Sequence, residues 1–181
     1  MTIEIELTKG KTTIIDDVDG DLMKYRWQAH QAQSKVWYAQ RGEGYTNGLG
    51  EKKVKISSMH REILSRILGR APCHAEYTDH INGNGLDNRR INIRVATPRQ
   101  STENRRKLNP HVLLGETSSK FKGVSWHKNI KKWQVAIKYN YKKYHLGYFL
   151  NETDAAKAYD RASINYFGEF AKTNFDKEDY K

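Results

Sequence analysis

Apolar and polar residues alternate over four short runs before residue 58, at 3–7, 12–15, 36–40 and 54–56. A period of two sets one face of an extended chain on a core and the other in water. Turn residues separate the runs, Lys9-Gly10 and the glycine-rich stretch 42–50 among them, so this part reads as a small twisted sheet. The period then changes. Ser57 or Ser58 caps a helix expected over about 59–68, with Ile63, Leu64, Ile67 and Leu68 at helical spacing and Gly69 as its stop. Its apolar face is expected against the sheet.

Strand periodicity returns at 122–128, 132–139 and 143–149. The middle run sets Trp133, Val135, Ile137 and Tyr139 on one face and Gln134, Ala136, Lys138 and Asn140 on the other. Asn151 then caps a helix with Asp154 at its third position, and Ala155, Tyr159, Ala162 and Tyr166 form an apolar stripe ending at Gly168. That stripe is expected to cover one sheet face and leave the basic one open. Between the two patterns, 110–119 carries a proline, a glycine and small polar residues and reads as a linker. The expected organisation is α+β: a domain over 1–109, the linker 110–119, and a three-stranded antiparallel sheet with one helix over 120–181.

Composition narrows the classes. Of 181 residues 37% are hydrophobic, and no stretch approaches the roughly 18 apolar residues of a membrane span. Residues 1–11 lack the apolar region of a signal peptide, so the expectation is a soluble, unsecreted protein with no membrane partner. The single cysteine, Cys73, excludes an internal disulfide framework and paired Cys-x-x-Cys zinc knuckles, and fits a reducing compartment. The net charge of +11 attracts a polyanion. It is unevenly placed: +1 over 1–59, +5 over 60–109, −1 over 110–119 and +6 over 120–181. The acidic cluster Asp16, Asp17, Asp19 and Asp21 invites a calcium reading, but aligning Gly20 on the loop glycine puts Ile15 first and Arg26 where a bidentate Glu belongs. A solvated turn leading into a helix is the expectation there.

The densest polar constellation runs from Asp79-His80-Ile81-Asn82-Gly83-Asn84 through Asn88-Arg89-Arg90-Ile91-Asn92-Ile93. Thr97-Pro98-Arg99-Gln100 then reads as a helix start, with Thr97 as cap, proline first and Gln100 closing a capping box, so that Ser101 and Asn104 share a helix face. An Asp, a His and a helix offering Ser or Asn oxygens can hold one hard divalent cation near a water, the minimal kit for phosphodiester hydrolysis. Oxygen ligands favour Mg²⁺ or Mn²⁺ over Zn²⁺. Asp79 is assigned as metal ligand and His80 as general base, since an imidazole of pKa about 6.5 takes a proton from water at neutral pH.

These residues resemble the HNH homing-endonuclease family, whose ββα-metal site reads Asp-His-Ile-x-Gly-Asn, Asn-Arg-x-x-Asn-Leu and Thr-x-x-x-Asn. The resemblance implies that His80 is the base, that Asn92 ties the loop together and that Asp79 is a ligand. Met59-His60-Arg61 also looks like the family's helix start. Ser101 stands where the family usually places its second ligand Asn. Either Ser101 ligates, Asn104 substitutes for it, or cleavage is impaired. His60 and His74 read as packing or surface residues, and His30 and His111 carry no signal.

The C-terminal part, with Phe121-Lys122-Gly123-Val124, Trp133 to Ile137, His145-Leu146-Gly147-Tyr148-Phe149, Ala155 to Asp160 and Ala171 to Phe175, resembles the Apetala-two / ethylene-response-factor domain of plant transcription factors. The resemblance implies a three-stranded sheet laid in the major groove of double-stranded DNA. Lys122, His127, Lys138 and Lys143 sit where that domain uses arginines, while His145 replaces a tryptophan, Ser125 an arginine and Ala136 a glutamate. Lysine favours phosphate contact over bidentate guanine contact, so the sheet is expected to position more than to specify. Arg89, Arg90 and Arg105 are assigned with it to DNA contact.

The resulting expectation is a site-selective endonuclease with one Mg²⁺ or Mn²⁺ per active site, nicking one strand and needing no obligate protein partner. The resemblances point to a cytoplasmic or nucleoid-associated protein of phage, bacterial or organellar context. A non-catalytic DNA-binding regulator on a degenerate scaffold and an RNA-binding protein are the rival classes.

Overall fold

The computed structural model describes residues 1–103 and 118–180. The chain divides into two compact units, Met1–Ser101 and Thr102–Lys181. The expected linker lies, but for its last two residues, outside the described residues. The architecture is α+β, built from several small antiparallel sheets and a few helices. Among the described residues no helix is long and apolar enough to cross a membrane.

In the first unit the N-terminal runs form two sheets rather than one. Strands β1 (Thr2–Leu7) and β2 (Lys11–Asp16) make a hairpin. Strands β3 (Gln28–Gln31), β4 (Trp37–Thr46) and β5 (Lys52–Ser58) form an antiparallel sheet in that order. Helix α1 (Met59–Leu68) follows β5 directly and ends at Gly69. Met59, Ile63 and Leu64 are its buried face, packed with Ile5, Leu7, Ile15, Leu22, Trp27 and Ala39, whereas Ile67 turns outward. A second hairpin pairs β6 (Tyr77–His80) with β7 (Ile93–Ala96), opposing Asp79 to Arg94 and His80 to Ile93. Helix α2 (Pro98–Glu103) then starts with the capping box: Gln100 N donates to Thr97 Oγ1 and Thr97 N to Gln100 Oε1.

The acidic cluster at 16–21 is solvated at Asp17 and Asp21, as expected of a turn leading into a helix, but not at Asp19. It lies in and before a run of 3-10 turns, Asp17–Lys24, and Asp19 is fully buried. Arg90 grips Asp19 at 2.8 and 2.9 Å, and Arg66 reaches it at 3.1 Å. A carboxylate leaves water only with such partners. Both arginines hold its pKa below the usual carboxylate range despite burial.

In the second unit, β8 (Val124–His127), β9 (Lys132–Tyr139) and β10 (Lys142–Phe149) form an antiparallel sheet with β9 in the centre. Helix α3 (Glu152–Phe167) covers one face, capped by the Asn151 side chain, which accepts from Thr153 N and Asp154 N. Val124, Val135, Ile137, Ala155, Ala156 and Tyr159 make the core. Gly123 has φ +78° and lies where any Cβ would collide with the Tyr159 ring. A bulge between His145 and Gly147 shifts the phase of β10.

Candidate functional site

Between the two strands of the second hairpin, the chain at 81–92 folds into a loop closed on itself by its own polar groups. Asn92 is the node: Nδ2 donates to Asp87 O (2.7 Å) and Asn82 Oδ1 (3.1 Å), and Oδ1 accepts from Asn82 N (3.0 Å). Asn82 Nδ2 in turn donates to Asp87 Oδ2 at 2.8 Å. Arg89 clamps Asp87 through two bonds of 2.7 Å, and this guanidinium is the main cause that lowers the Asp87 pKa. A self-satisfied network of this kind specifies one conformation, because every broken bond would leave a buried polar group unpaired.

The loop is docked as well as closed. Ile14 N donates to Leu86 O (2.9 Å) and Asn88 N to Ile14 O (2.8 Å), which attaches the loop to β2 like an added strand. Gly85 presses on β4 so closely that a Cβ would fall 2.4 Å from Trp37 O and 2.6 Å from the Tyr38 ring. Only glycine fits that approach.

His80, at the end of β6, is 6% exposed. Its Nε2 lies 3.1 Å from Asn88 Oδ1, Asn88 Nδ2 donates to Thr13 Oγ1 at 2.8 Å, and Thr13 Oγ1 donates to Leu86 O at 2.8 Å. Burial lowers the imidazole pKa against the opposing pull of Asn88, Asp79 and Asp87, which favours the neutral ring. The His60 ring meets His80 edge-on at 5.3 Å, and Tyr38 leans on both. Burial, then His80, pushes His60 down to about 3. His60 packs, as its sequence context suggested. What it packs against is the candidate base, a relation that nothing local in the sequence carries. An open pocket of about 530 Å³ lies against His60, Arg61, His74, Tyr77 and Thr78.

Asp79, beside His80, is buried, and its Oδ2 accepts from Arg94 Nε at 2.9 Å and lies at an ion-pair distance of 2.9 Å from Nη2 of the same guanidinium. Ser101 sits half-buried on α2, its N–H bonded to Thr97 O. Asn104 and Arg105 lie outside the described residues. Among the described residues no three His, Cys, Asp or Glu gather into a metal cage. Of the residues assigned as ligands from sequence, Asp79 and Ser101 carry oxygen donors, the donor type a hard cation takes, Mg²⁺ being usually held by one or two carboxylates with water and substrate phosphate. Arg89 and Arg90, assigned to DNA contact from sequence, each grip an internal carboxylate, Asp87 and Asp19.

The second unit carries a different surface. On the sheet face away from α3, Lys138 directly opposes Lys143 and Ala136 opposes His145. Like charges face to face repel, so this face is poised for a polyanion rather than for its own stability. Tyr148 joins it, 4.5 Å from the His145 ring and 5.5 Å from that of His127. Sequence reasoning missed Tyr148, because unbroken alternation from His145 would turn it toward the core. The bulge reverses the phase, and a glycine within a strand is its signal. Lys122 precedes β8, half-buried, with its backbone N–H on Asn174 Oδ1. Burial, reinforced by Lys172, pushes its ammonium down to about 8.

No protein-family profile matches the chain. It is 46% identical over 65 residues to APETALA2-like protein 2 of Oryza sativa, a match covering 35% of this chain and 15% of that protein. It is 39% identical over 64 residues to an ethylene-responsive transcription factor of Arabidopsis thaliana, again over 15% of the relative. The chain thus spans only a small part of these plant proteins. An uncharacterized HNH endonuclease of Acanthamoeba polyphaga mimivirus is 30% identical over 152 residues, which cover 83% of this chain and 67% of the viral protein. A match of that extent, to a chain with the same motif name that the loop at 79–101 suggested, means that this protein belongs to the HNH endonuclease family.

Proposed function

We propose that the protein is a metal-dependent endonuclease that hydrolyses one phosphodiester of double-stranded DNA, anchored by its C-terminal sheet in the major groove. The observation that carries this reading is the buried His80 beside the Asp79 carboxylate, on a hairpin that leads into a capped helix and is closed by the Asn92 network. This order of two strands and a helix supports a ββα-metal arrangement.

In this reading His80 accepts a proton from the attacking water, for which a buried imidazole kept neutral is suited. Asp79, with Ser101 or Asn104, would hold one Mg²⁺ or Mn²⁺. A bound cation of this kind supplies charge neutralisation at the phosphate and the leaving oxygen. Arg94 balances the Asp79 charge and fixes its orientation. Lys138, Lys143, His127 and His145 meet backbone phosphates, while Arg89 and Arg90 hold the loop. One site per chain gives a nick.

The test is nicking of supercoiled plasmid with and without Mg²⁺ or Mn²⁺ by wild type, His80→Ala and Ser101→Asn. Metal-dependent nicking that falls by about 10²–10⁴-fold in His80→Ala supports the reading. A second reading, a DNA-binding regulator, is favoured by one observation: Asp79 already has a cationic partner in Arg94. Cleavage seen only in Ser101→Asn would place the natural chain in that class, and cleavage that persists in His80→Ala would remove His80 from the chemistry.

A further inference from the structure

We infer that Thr13 and Asn88 are positioning residues that decide which nitrogen of His80 carries the ring proton; the role rests on reading His80 as the base. The argument runs along one chain of hydrogen bonds. Thr13 Oγ1 lies 2.8 Å from Leu86 O, a backbone carbonyl that can only accept. The hydroxyl has a single proton, so it is spent there, and the weak acceptor Met59 Sδ at 3.8 Å does not compete. The Thr13 oxygen must then accept from Asn88 at 2.8 Å, which turns the NH₂ of Asn88 toward Thr13 and its carbonyl oxygen toward His80. That oxygen can only accept, so His80 Nε2 is the N–H at 3.1 Å. A neutral imidazole has one N–H, and its basic lone pair is therefore on Nδ1.

Thr13 and Asn88 are 0% exposed and His80 6%, so no bulk water can reverse a link. The polarity is anchored on main chain, because Leu86 O also accepts from Ile14 N. An asparagine alone would not suffice, since its amide can turn over and present either atom. Thr13 removes that choice from a strand 75 residues away. The motif at 79–94 fixes the ring's place, and β2 fixes its proton.

The experiment uses the full chain, uniformly ¹⁵N-labelled, in long-range ¹H–¹⁵N spectra of the histidine rings at pH 8 without metal or DNA. Resonances of His80 are assigned by their loss in His80→Gln. Wild type and Thr13→Ser are expected to show the Nε2–H tautomer. Thr13→Val, nearly isosteric but without the hydroxyl, lets the amide turn and is expected to show the Nδ1–H form or a mixture. In plasmid nicking, Thr13→Val is expected to lower kcat by about 100-fold at unchanged KM, the wrong tautomer being costly to a histidine base, with Thr13→Ser restoring it. An Nδ1–H ring in wild type, or an Nε2–H ring retained in Thr13→Val, overturns the inference. A switched tautomer with full kcat overturns the positioning role. If wild type does not nick DNA, the spectra still decide the tautomer control, and it is His80 as base that fails.

Discussion

The loop at 81–92 and the open face of the C-terminal sheet are both polar, yet they treat polarity in opposite ways. In the loop, Asp87, Asn88 and Asn92 are buried and every one is held by named partners. On the sheet, Lys138, Lys143 and His145 are exposed, and Lys138 and Lys143 oppose each other. Buried polar groups are stabilising only as a complete set, so each member is needed. Exposed charges act through a field that is additive and screened by salt, so each member is replaceable. Fold stability should therefore concentrate in the loop, and DNA affinity in the sheet.

The sharpest way to break this contrast is Asn92→Leu. It orphans Asp87 O and Asn82 N and should cost on the order of 3 kcal/mol in denaturant unfolding of the first unit. A loss under half that would mean that the network is decorative. Next in size is Asp19→Asn, which leaves Arg90 and Arg66 without their buried carboxylate. Breaking such a pair costs about 3–5 kcal/mol when both ions are buried. The arginines here are about a third exposed, so about 2 kcal/mol is expected by the same measurement.

Third comes a pH effect at His60. Its folded pKa of about 3 lies below the unfolded value of about 6.5, so the unfolded chain binds the extra proton. Stability is complete above pH 6.5 and is lost as pH falls toward 3, at about 1 kcal/mol for the step from 6.5 to 5.5. His60→Phe should flatten that step, leaving the smaller same-sign loss from His80. The lowered carboxylates Asp19 and Asp87 act only at more acid pH. An unchanged slope in His60→Phe would show that the ring is hydrated.

The smallest effect on the fold belongs to the sheet. Lys138→Ser with Lys143→Ser should alter stability by about 0.5 kcal/mol or less, in the favourable direction. The same variant should lower the slope of log affinity against log salt by about 1.8, the share of two phosphate contacts. A large loss of stability, or a slope left intact, would reverse the comparison.

What the sequence revealed was local. The Thr97–Gln100 box and the Asn151 cap involve residues at most three apart, and β9 shows its faces by plain alternation. Periodicity did not mark β3, β6 and β7, which have four residues each, too few for alternation to show, and in β3 and β6 most of the side chains are polar. The Asp-His motif and its loop were legible as chemistry. Their support was not: Arg66 and Arg90 reach Asp19 across 47 and 71 residues, and Thr13 reaches Asn88 across 75. Nothing in the spacing of a chain records which distant side chain will satisfy a buried one.

The exchange of backbone hydrogen bonds between Ile14 and residues 86–88 has a bearing on timing. A contact so distant along the chain forms late, because a long segment must be closed before the bonds are made. During synthesis the N-terminal hairpin is complete long before the loop emerges, and it has to wait for it. The candidate centre is thus completed late, and a nascent chain that already carries Asp79 and His80 would not yet hold them in their final setting.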